Sequence, residues 1–180
     1  MNYIIKDDYI IIQGNKILDD KLIDIIKKYN KLKTSVAYDL PLNNLPTNII
    51  EIEFDVYYNQ KIDNLPYSIK KIEFSYFSVF NQTIDFLPAD LEYLALHGCF
   101  NQPIDNLPNN LKYLILGYCF DQSIDNLPDS LNYLYVGLIF SKKINKLPQN
   151  LIVLGLNCTY KYLDDAKLFC DKLNIKLEIY

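Results

Sequence analysis

The chain has 180 residues, which fits one domain, and half of them are hydrophobic, so a substantial core can form. The net charge is −4 and every basic residue is a lysine, which speaks against the arginine-rich positive surface of a nucleic-acid-binding protein. No apolar run approaches the roughly 18 residues of a membrane span, and the first residues lack the pattern of a secretory signal. We therefore expect a cytoplasmic protein that binds neither nucleic acid nor membrane.

Residues 1–37 predict an N-terminal cap made of a hairpin and a helix. Apolar residues at 3–5 and 9–12 flank a polar turn, which is typical of two short paired strands. Asp19 or Asp20 can cap a helix whose apolar face carries Leu22, Ile25, Ile26 and Tyr29.

Residues 38–159 contain six tandem copies of a unit of 20 to 22 residues. The dipeptide Leu-Pro recurs with its leucine at positions 45, 65, 87, 107, 127 and 147. An aromatic residue lies seven positions before each leucine: Tyr38, Tyr58, Phe80, Phe100, Phe120 and Phe140. The one 22-residue copy has its two additional residues within Ser75–Val79, which we expect to place Tyr76 or Phe77 at the rim of the sheet.

Each copy predicts one short strand. Leucines alternate with outward residues after each proline, as at Leu114 and Leu116, and alternation with period two is typical of a strand with one buried face. A single unit cannot bury its leucines, whereas stacked units can. A period of about 20 residues also leaves no room for a helix on the return path. The sequence therefore predicts a mostly β, leucine-rich-repeat-like solenoid with a parallel sheet on one side, an extended or turn-like return path, and α-helices only in two caps.

Residues 160–180 predict the C-terminal cap, a helix followed by a final strand. Asp164 can cap this helix, whose inward face would carry Ala166, Phe169, Cys170 and Leu173. Charged residues alternate with apolar ones in the last strand, which discourages pairing with another edge. With a cap at each end, we expect a complete protein.

Three copies share one motif, each followed by Leu-Pro: Phe80–Ile84, Phe100–Ile104 and Phe120–Ile124. On this motif the repeats resemble the FNIP repeat, a relative of the leucine-rich repeat that is abundant in social amoebae and in giant viruses of amoebae. The resemblance covers residues 38 to 159. It implies a protein that binds a protein partner, in the host cytoplasm if the protein is viral. In the family such arrays are often joined to an F-box, which implies a link to host ubiquitin machinery.

The sequence offers little catalytic chemistry. The chain has one histidine, His97, and Cys99 nearby falls at a repeat position that is apolar in most copies, so we expect Cys99 to be buried and inert. An acidic column with a period near 20 could bind calcium or form turns that hydrogen-bond the backbone; its members are Asp63, Asp85, Asp105 and Asp125. We expect no enzyme, no cofactor and no metal site.

The outward positions of the strands form the candidate binding surface. In chain order they are Glu51 and Glu53, Lys71 and Glu73, Tyr93 and Ala95, Tyr113 and Ile115, Tyr133 and Tyr135, Val153 and Gly155. An acidic end thus precedes an aromatic middle, which could bind a protein or only stabilise the sheet by cross-strand stacking. We predict partner binding through Tyr93, Tyr113, Ile115, Tyr133, Tyr135, Glu51, Glu53 and Glu73. The alternatives are carbohydrate binding and self-association on the same face, with the protein a monomer or a weak homo-oligomer.

Overall fold

The computed structural model describes residues 3–14 and 17–180. These residues form ten strands and two helices. The strands are β1 (Tyr3–Lys6), β2 (Tyr9–Ile12), β3 (Lys31–Thr34), β4 (Glu51–Phe54), β5 (Lys71–Phe74), β6 (Tyr93–Leu96), β7 (Tyr113–Leu116), β8 (Tyr133–Val136), β9 (Val153–Leu156) and β10 (Lys176–Ile179). The helices are α1 (Asp20–Ile26), between β2 and β3, and α2 (Leu163–Leu173), between β9 and β10.

All ten strands lie in one sheet in the order of the chain. Strands β1 and β2 form an antiparallel hairpin, and every later neighbour pairs in parallel. The register keeps equivalent positions opposite one another, so Leu94 faces Leu114 and Leu114 faces Leu134. The predicted mostly β solenoid, with helices only near its two ends, is confirmed.

The core consists of columns that run through successive copies. The aromatic column is buried throughout and contains Tyr38, Tyr58, Phe80, Phe100, Phe120, Phe140 and Tyr160. Five of its six consecutive pairs have ring centroids 5.5 to 6.4 Å apart. The sixth pair, Tyr58 and Phe80, is connected through rings of the neighbouring strands. The ring centroid of Phe54 lies 4.2 Å from that of Tyr58, and the ring centroid of Phe74 lies 4.1 Å from that of Phe80. One unit therefore buries its apolar residues only against the next.

A ladder of polar side chains joins the copies beside the aromatic column. The Oδ1 atom of Asn81 accepts a hydrogen bond from the backbone N–H of Asn101 at 2.9 Å, and Asn101 does the same for Asp121. The same bond recurs three more times: the side chains of Asp39, Asn59 and Asp121 accept from the backbone N–H groups of Asn59, Asn81 and Ser141, respectively. The side chains thus satisfy backbone N–H groups that the return path cannot pair within its own copy.

The acidic column lies in the turns that precede Leu-Pro. Asp85, Asp105 and Asp125 each accept a hydrogen bond from an asparagine side chain of the next copy, at 2.8 to 3.0 Å. Partial burial opposes ionisation of the Asp125 carboxyl, but hydrogen bonds from Asn145, Lys146 and Ser123 together outweigh it and lower the pKa. These contacts are those of turn residues that link copies.

The two helices begin differently. Asp19 caps α1, since its carboxylate accepts a hydrogen bond from the backbone N–H of Leu22 at 2.8 Å. The prediction that Asp164 caps α2 is wrong, because the helix begins at Leu163 and Asp164 lies in its first turn, paired with Lys167 at 2.9 Å. Leu173 was expected inside but is 46% exposed, at the end of the helix. Within the described residues, neither helix is long and apolar enough to cross a membrane.

Candidate functional site

The sheet has one face against the core and one face towards solvent. In β4, β5 and β8 the second and fourth residues are buried while the first and third are partly exposed. We call the surface formed by the first and third residues of the strands the sheet face. The parallel register places the first residues in one column and the third residues in a second column. Within each column, residues on neighbouring strands lie about 5 Å apart.

Charged residues occupy the N-terminal part of the sheet face. Glu53 lies 2.6 Å from Lys33, and Glu73 lies 2.9 Å from Lys71. Glu51 lies 3.7 Å from Lys31, which also pairs with Asp8. The expected acidic end is therefore a surface of mixed charge, because strand β3 supplies two lysines that the repeat pattern does not reveal.

Tyr93, Tyr113 and Tyr133 form the tyrosine row in the middle of the sheet face. The rings of Tyr113 and Tyr133 stack with centroids 4.4 Å apart and planes at 2°, and Tyr93 lies 6.0 Å from Tyr113. The Lys71 ammonium lies 4.9 Å from the centre of the Tyr93 ring, so the charged and aromatic parts touch. Tyr113 is 41% exposed, and the row therefore both stacks and faces solvent.

The second column is less exposed than expected. Tyr135 lies across Gly155, where an added Cβ would collide with the tyrosine ring, and its hydroxyl donates to Glu178 at 2.9 Å. Ala95 in this column and Val153 in the first column are buried, contrary to their predicted outward exposure. In β6 to β9 the second column thus presents mainly Ile115 and the anchored Tyr135.

A groove that the outward positions do not predict lies at the carboxyl ends of β6 to β9. Its cavity of about 450 Å³, here called the aromatic pocket, is lined mainly by Tyr76, His97, Ile115, Tyr118, Leu138 and Tyr180. Tyr180 reaches back over β9, and its hydroxyl donates to the carbonyl of Val136 at 2.7 Å. Tyr76 and Phe77, one of which the sequence predicts at the rim, are 71% and 74% exposed, and Tyr76 lines this pocket.

Glycines form the floor of the aromatic pocket. Gly98, Gly117 and Gly137 follow β6, β7 and β8, and a Cβ added to Gly117 would lie 2.6 Å from the Cα of His97. Successive turns therefore approach more closely than side chains would allow. Four of the five glycines lie in consecutive copies, at 98, 117, 137 and 155, and this clustering is the sequence signal that could have found the groove.

A second cavity of about 300 Å³, here called the acidic pocket, adjoins the first. Glu53, Asp55, Glu73 and Lys33 contribute its charged groups, and it shares Tyr76 and His97 with the aromatic pocket. The ring centroids of Tyr76 and His97 are 5.5 Å apart, so the two side chains form a ridge between the cavities. Burial lowers the pKa of His97, partly opposed by the charge of Glu73, so the imidazole is neutral at pH 7.

Cys99 is exposed, so the prediction that it is buried is wrong. It lies in the turn between β6 and the buried Phe100, and its backbone N–H donates to the Ser78 carbonyl at 2.8 Å. The pKa of the Cys119 thiol is raised, mainly because the thiol is partly buried and to a smaller extent because Cys99 lies beside it. No group of three metal-ligating side chains lies together within residues 3–14 and 17–180.

Comparison with protein families decides what this repeat is. The model of the FNIP repeat matches residues 39–77, 80–119 and 100–138, which together span more than half of the chain. The chain belongs to the FNIP-repeat family. Proteins of this repeat family are generally non-catalytic, and the repeat fold suggests a protein-interaction module.

One solved structure that this FNIP-repeat chain resembles is CroV588 of the giant virus CroV, described as a novel circular LRR protein structure. The two are 27% identical with a TM-score of 0.62, and the match covers 89% of this chain. It covers 29% of CroV588, so the chain spans less than a third of that protein's length. No curated protein sequence matches the chain.

Proposed function

We propose that this FNIP-repeat solenoid is a non-enzymatic module that binds a protein partner on its sheet face. The observation that carries the proposal is the tyrosine row, three in-register tyrosines that remain partly exposed and are flanked by Ile115 and Tyr135. Tyrosine is enriched at protein interfaces because it combines a large apolar ring with a hydroxyl group. The mixed charges of Glu51, Glu53 and Glu73 with their lysines would form the polar rim.

The stacking within the tyrosine row favours a protein partner over a carbohydrate. A sugar packs on the face of an aromatic ring, but Tyr113 has Tyr133 stacked on one side at 4.4 Å and Tyr93 on the other side at 6.0 Å. Its ring edge and hydroxyl group remain for contact. Edges and hydroxyls suit the apolar side chains and backbone carbonyls of a protein.

Membership of the family extends the proposal to the class of partner. FNIP arrays often occur with an F-box, so a subunit of the host ubiquitin machinery is one candidate partner. A ligase subunit recovered with the wild-type chain, and lost when the tyrosine row is removed, would support this extension. A set of row-dependent partners without any ligase component would count against it while leaving the binding proposal intact.

The proposal is tested by comparing two triple variants. In the first, Tyr93, Tyr113 and Tyr133 are replaced by serine; in the control, exposed aromatics outside the sheet face are replaced, namely Tyr57, Tyr67 and Phe86. Each variant is used to capture proteins from lysate of cells that express the chain. Each captured partner is then purified, and hydrogen exchange maps the surface of this chain that it protects. We expect partners that the control retains and the first variant loses, with protection on β6 to β8. Equal capture by both variants would refute the site.

Self-association through the same face would compete with a partner. Light scattering at two protein concentrations distinguishes the two cases, because a dimer through the tyrosine row would dissociate on dilution and in the tyrosine-to-serine variant. A monomer at both concentrations leaves the face free for a partner.

A further inference from the structure

We propose that the partner segment is an extended peptide that carries a basic residue and a large apolar residue about four positions apart, bound in the acidic and aromatic pockets. This inference rests on the proposed function and names the chemistry of the partner. It adds the groove at the carboxyl ends of the strands to the tyrosine row as a recognition surface.

The charges of the acidic pocket select a basic side chain. Its lining carries three carboxylates, of Glu53, Asp55 and Glu73, against the single ammonium of Lys33. Lys33 and Lys71 are each paired with a glutamate, whereas Asp55 takes part in no ion pair among the described residues. A guanidinium or ammonium group entering this cavity of about 300 Å³ would find carboxylate oxygens still free to accept hydrogen bonds.

The aromatic pocket selects an apolar side chain. The side chains of its lining residues carry no formal charge at pH 7, and the glycine floor exposes backbone that a large side chain can approach closely; the residues are Tyr76, His97, Ile115, Tyr118, Leu138 and Tyr180. Its volume of about 450 Å³ exceeds that of the acidic pocket and accommodates an aromatic or long aliphatic side chain. A peptide that lacks such a residue would leave this surface in contact with water.

The distance between the pockets sets the spacing of the two residues. The acidic pocket is lined from strands β3 to β6 and the aromatic pocket from the ends of β6 to β9, so their centres are about three strands apart, or about 14 Å. An extended peptide rises about 3.4 Å per residue, so about four residues cover this distance. An even separation also places both side chains on the same face of the peptide, whereas a separation of three turns one of them away.

The ridge of Tyr76 and His97 lies between the two side chains of such a peptide. Tyr76 belongs to the two-residue insertion that only this copy has, and it is 71% exposed. The insertion therefore supplies part of the ridge at one place along the solenoid, whereas the strands beneath it repeat in every copy.

The test is selection from a library of random linear peptides displayed on phage, carried out with the full chain. We expect enrichment of sequences with a basic and a large apolar residue about four positions apart. The double variant E53Q/E73Q and the variant Y118S should each lose this enrichment. Their matched controls are E92Q, which removes the charge of a glutamate paired with Lys112, and Y67S, which removes an exposed tyrosine. Both residues lie outside the two pockets, so these controls should keep the enrichment.

A labelled Gly/Ser peptide with one arginine and one phenylalanine four positions apart then gives the affinity by fluorescence polarisation. Replacing arginine by glutamate should weaken binding by about ten-fold, and a spacing of three should weaken it similarly. Equal binding of these peptides would overturn the inference. Enriched peptides that lack the pair but still require the tyrosine row would overturn it and leave the proposed function standing. Selection that enriches no peptide dependent on the pockets would also overturn it, and the capture experiment with the tyrosine-to-serine variant then decides the proposed function separately.

Discussion

The two halves of this solenoid share a strand register and differ in the side chains on their outward positions. Strands β3 to β5 carry lysine–glutamate pairs on the sheet face, whereas β6 to β8 carry stacked tyrosines. The aromatic column changes at the same place, from Tyr38 and Tyr58 to phenylalanines that begin at Phe80. Because the strand register is the same in both halves, the stack does not depend on the identity of its outward residues.

The largest expected effect is on the shared core, where the two halves should not differ. Leu114 and Ile72 occupy the same strand position and are both fully buried. We expect Leu114→Ala and Ile72→Ala each to reduce the free energy of unfolding by about 2–5 kcal/mol, since each leaves a cavity. Urea denaturation measures both. A loss in one half only would show that the halves are packed differently.

The glycine floor distinguishes the C-terminal half by its backbone. Gly98 has φ +71° and no room for a Cβ against the backbone of Ser78, whereas Gly14 has the same φ and open space. Gly14→Ala should cost about 1–2 kcal/mol from the left-handed conformation alone. Gly98→Ala should cost more, because the Ser78 turn must also move. Equal losses of unfolding free energy would mean that the turn gives way easily.

Exchanging tyrosine and phenylalanine in the aromatic column should have opposite effects in the two halves. The Tyr58 hydroxyl is buried and has no hydrogen-bond partner among the described residues, so we expect Tyr58→Phe to be neutral or stabilising. Phe100→Tyr should destabilise by about 1–3 kcal/mol, because it buries a hydroxyl where none is present. Thermal melts of the two single variants and the double variant check the signs. A destabilised Tyr58→Phe protein would reveal a hidden partner for that hydroxyl.

The buried hydroxyl of Tyr38 makes the stability of the fold sensitive to alkali. Burial raises the pKa of Tyr38 to about 12, while a tyrosine in an unfolded chain ionises near pH 10. Between these values the folded chain holds a proton that the unfolded chain has released. The unfolding free energy should therefore fall as the pH rises from about 10 to about 12. Tyr38→Phe should make this fall less steep in denaturation curves taken across that range, and an unchanged slope would contradict the assignment.

The smallest effects on stability belong to the sheet face. The Lys33–Glu53 pair is exposed, and Glu53→Gln should change the unfolding free energy by less than about 1 kcal/mol. Tyr113→Ala should lower the melting temperature by only a few degrees while reducing partner binding. If Tyr113→Ala were as destabilising as Leu114→Ala, the tyrosine row would be a structural element of the sheet.

The repeat made the fold predictable, and its irregular parts made the site less so. Leu-Pro, the aromatic column and the paired leucines recur because stacking requires them, so the parallel sheet and its register follow from spacing alone. The lysines of β3 lie outside the recognisable repeats, and this hid the charge pairs of Glu51 and Glu53. Tyr180 joins the groove through a hydroxyl bond to Val136, 44 positions away, which no local pattern encodes.

The Asn81-to-Asn101 bond and its equivalents make the solenoid tolerant of changes in length. Each side chain offers its acceptor to the backbone of the following copy, and the geometry repeats with every 20 residues. Loss of residues 100–119 in a gene rearrangement would bring Asp121 to the acceptor of Asn81 and leave an intact ladder. Descendants could therefore gain or lose whole units by unequal recombination, and vary the width of the binding surface without inventing a new fold.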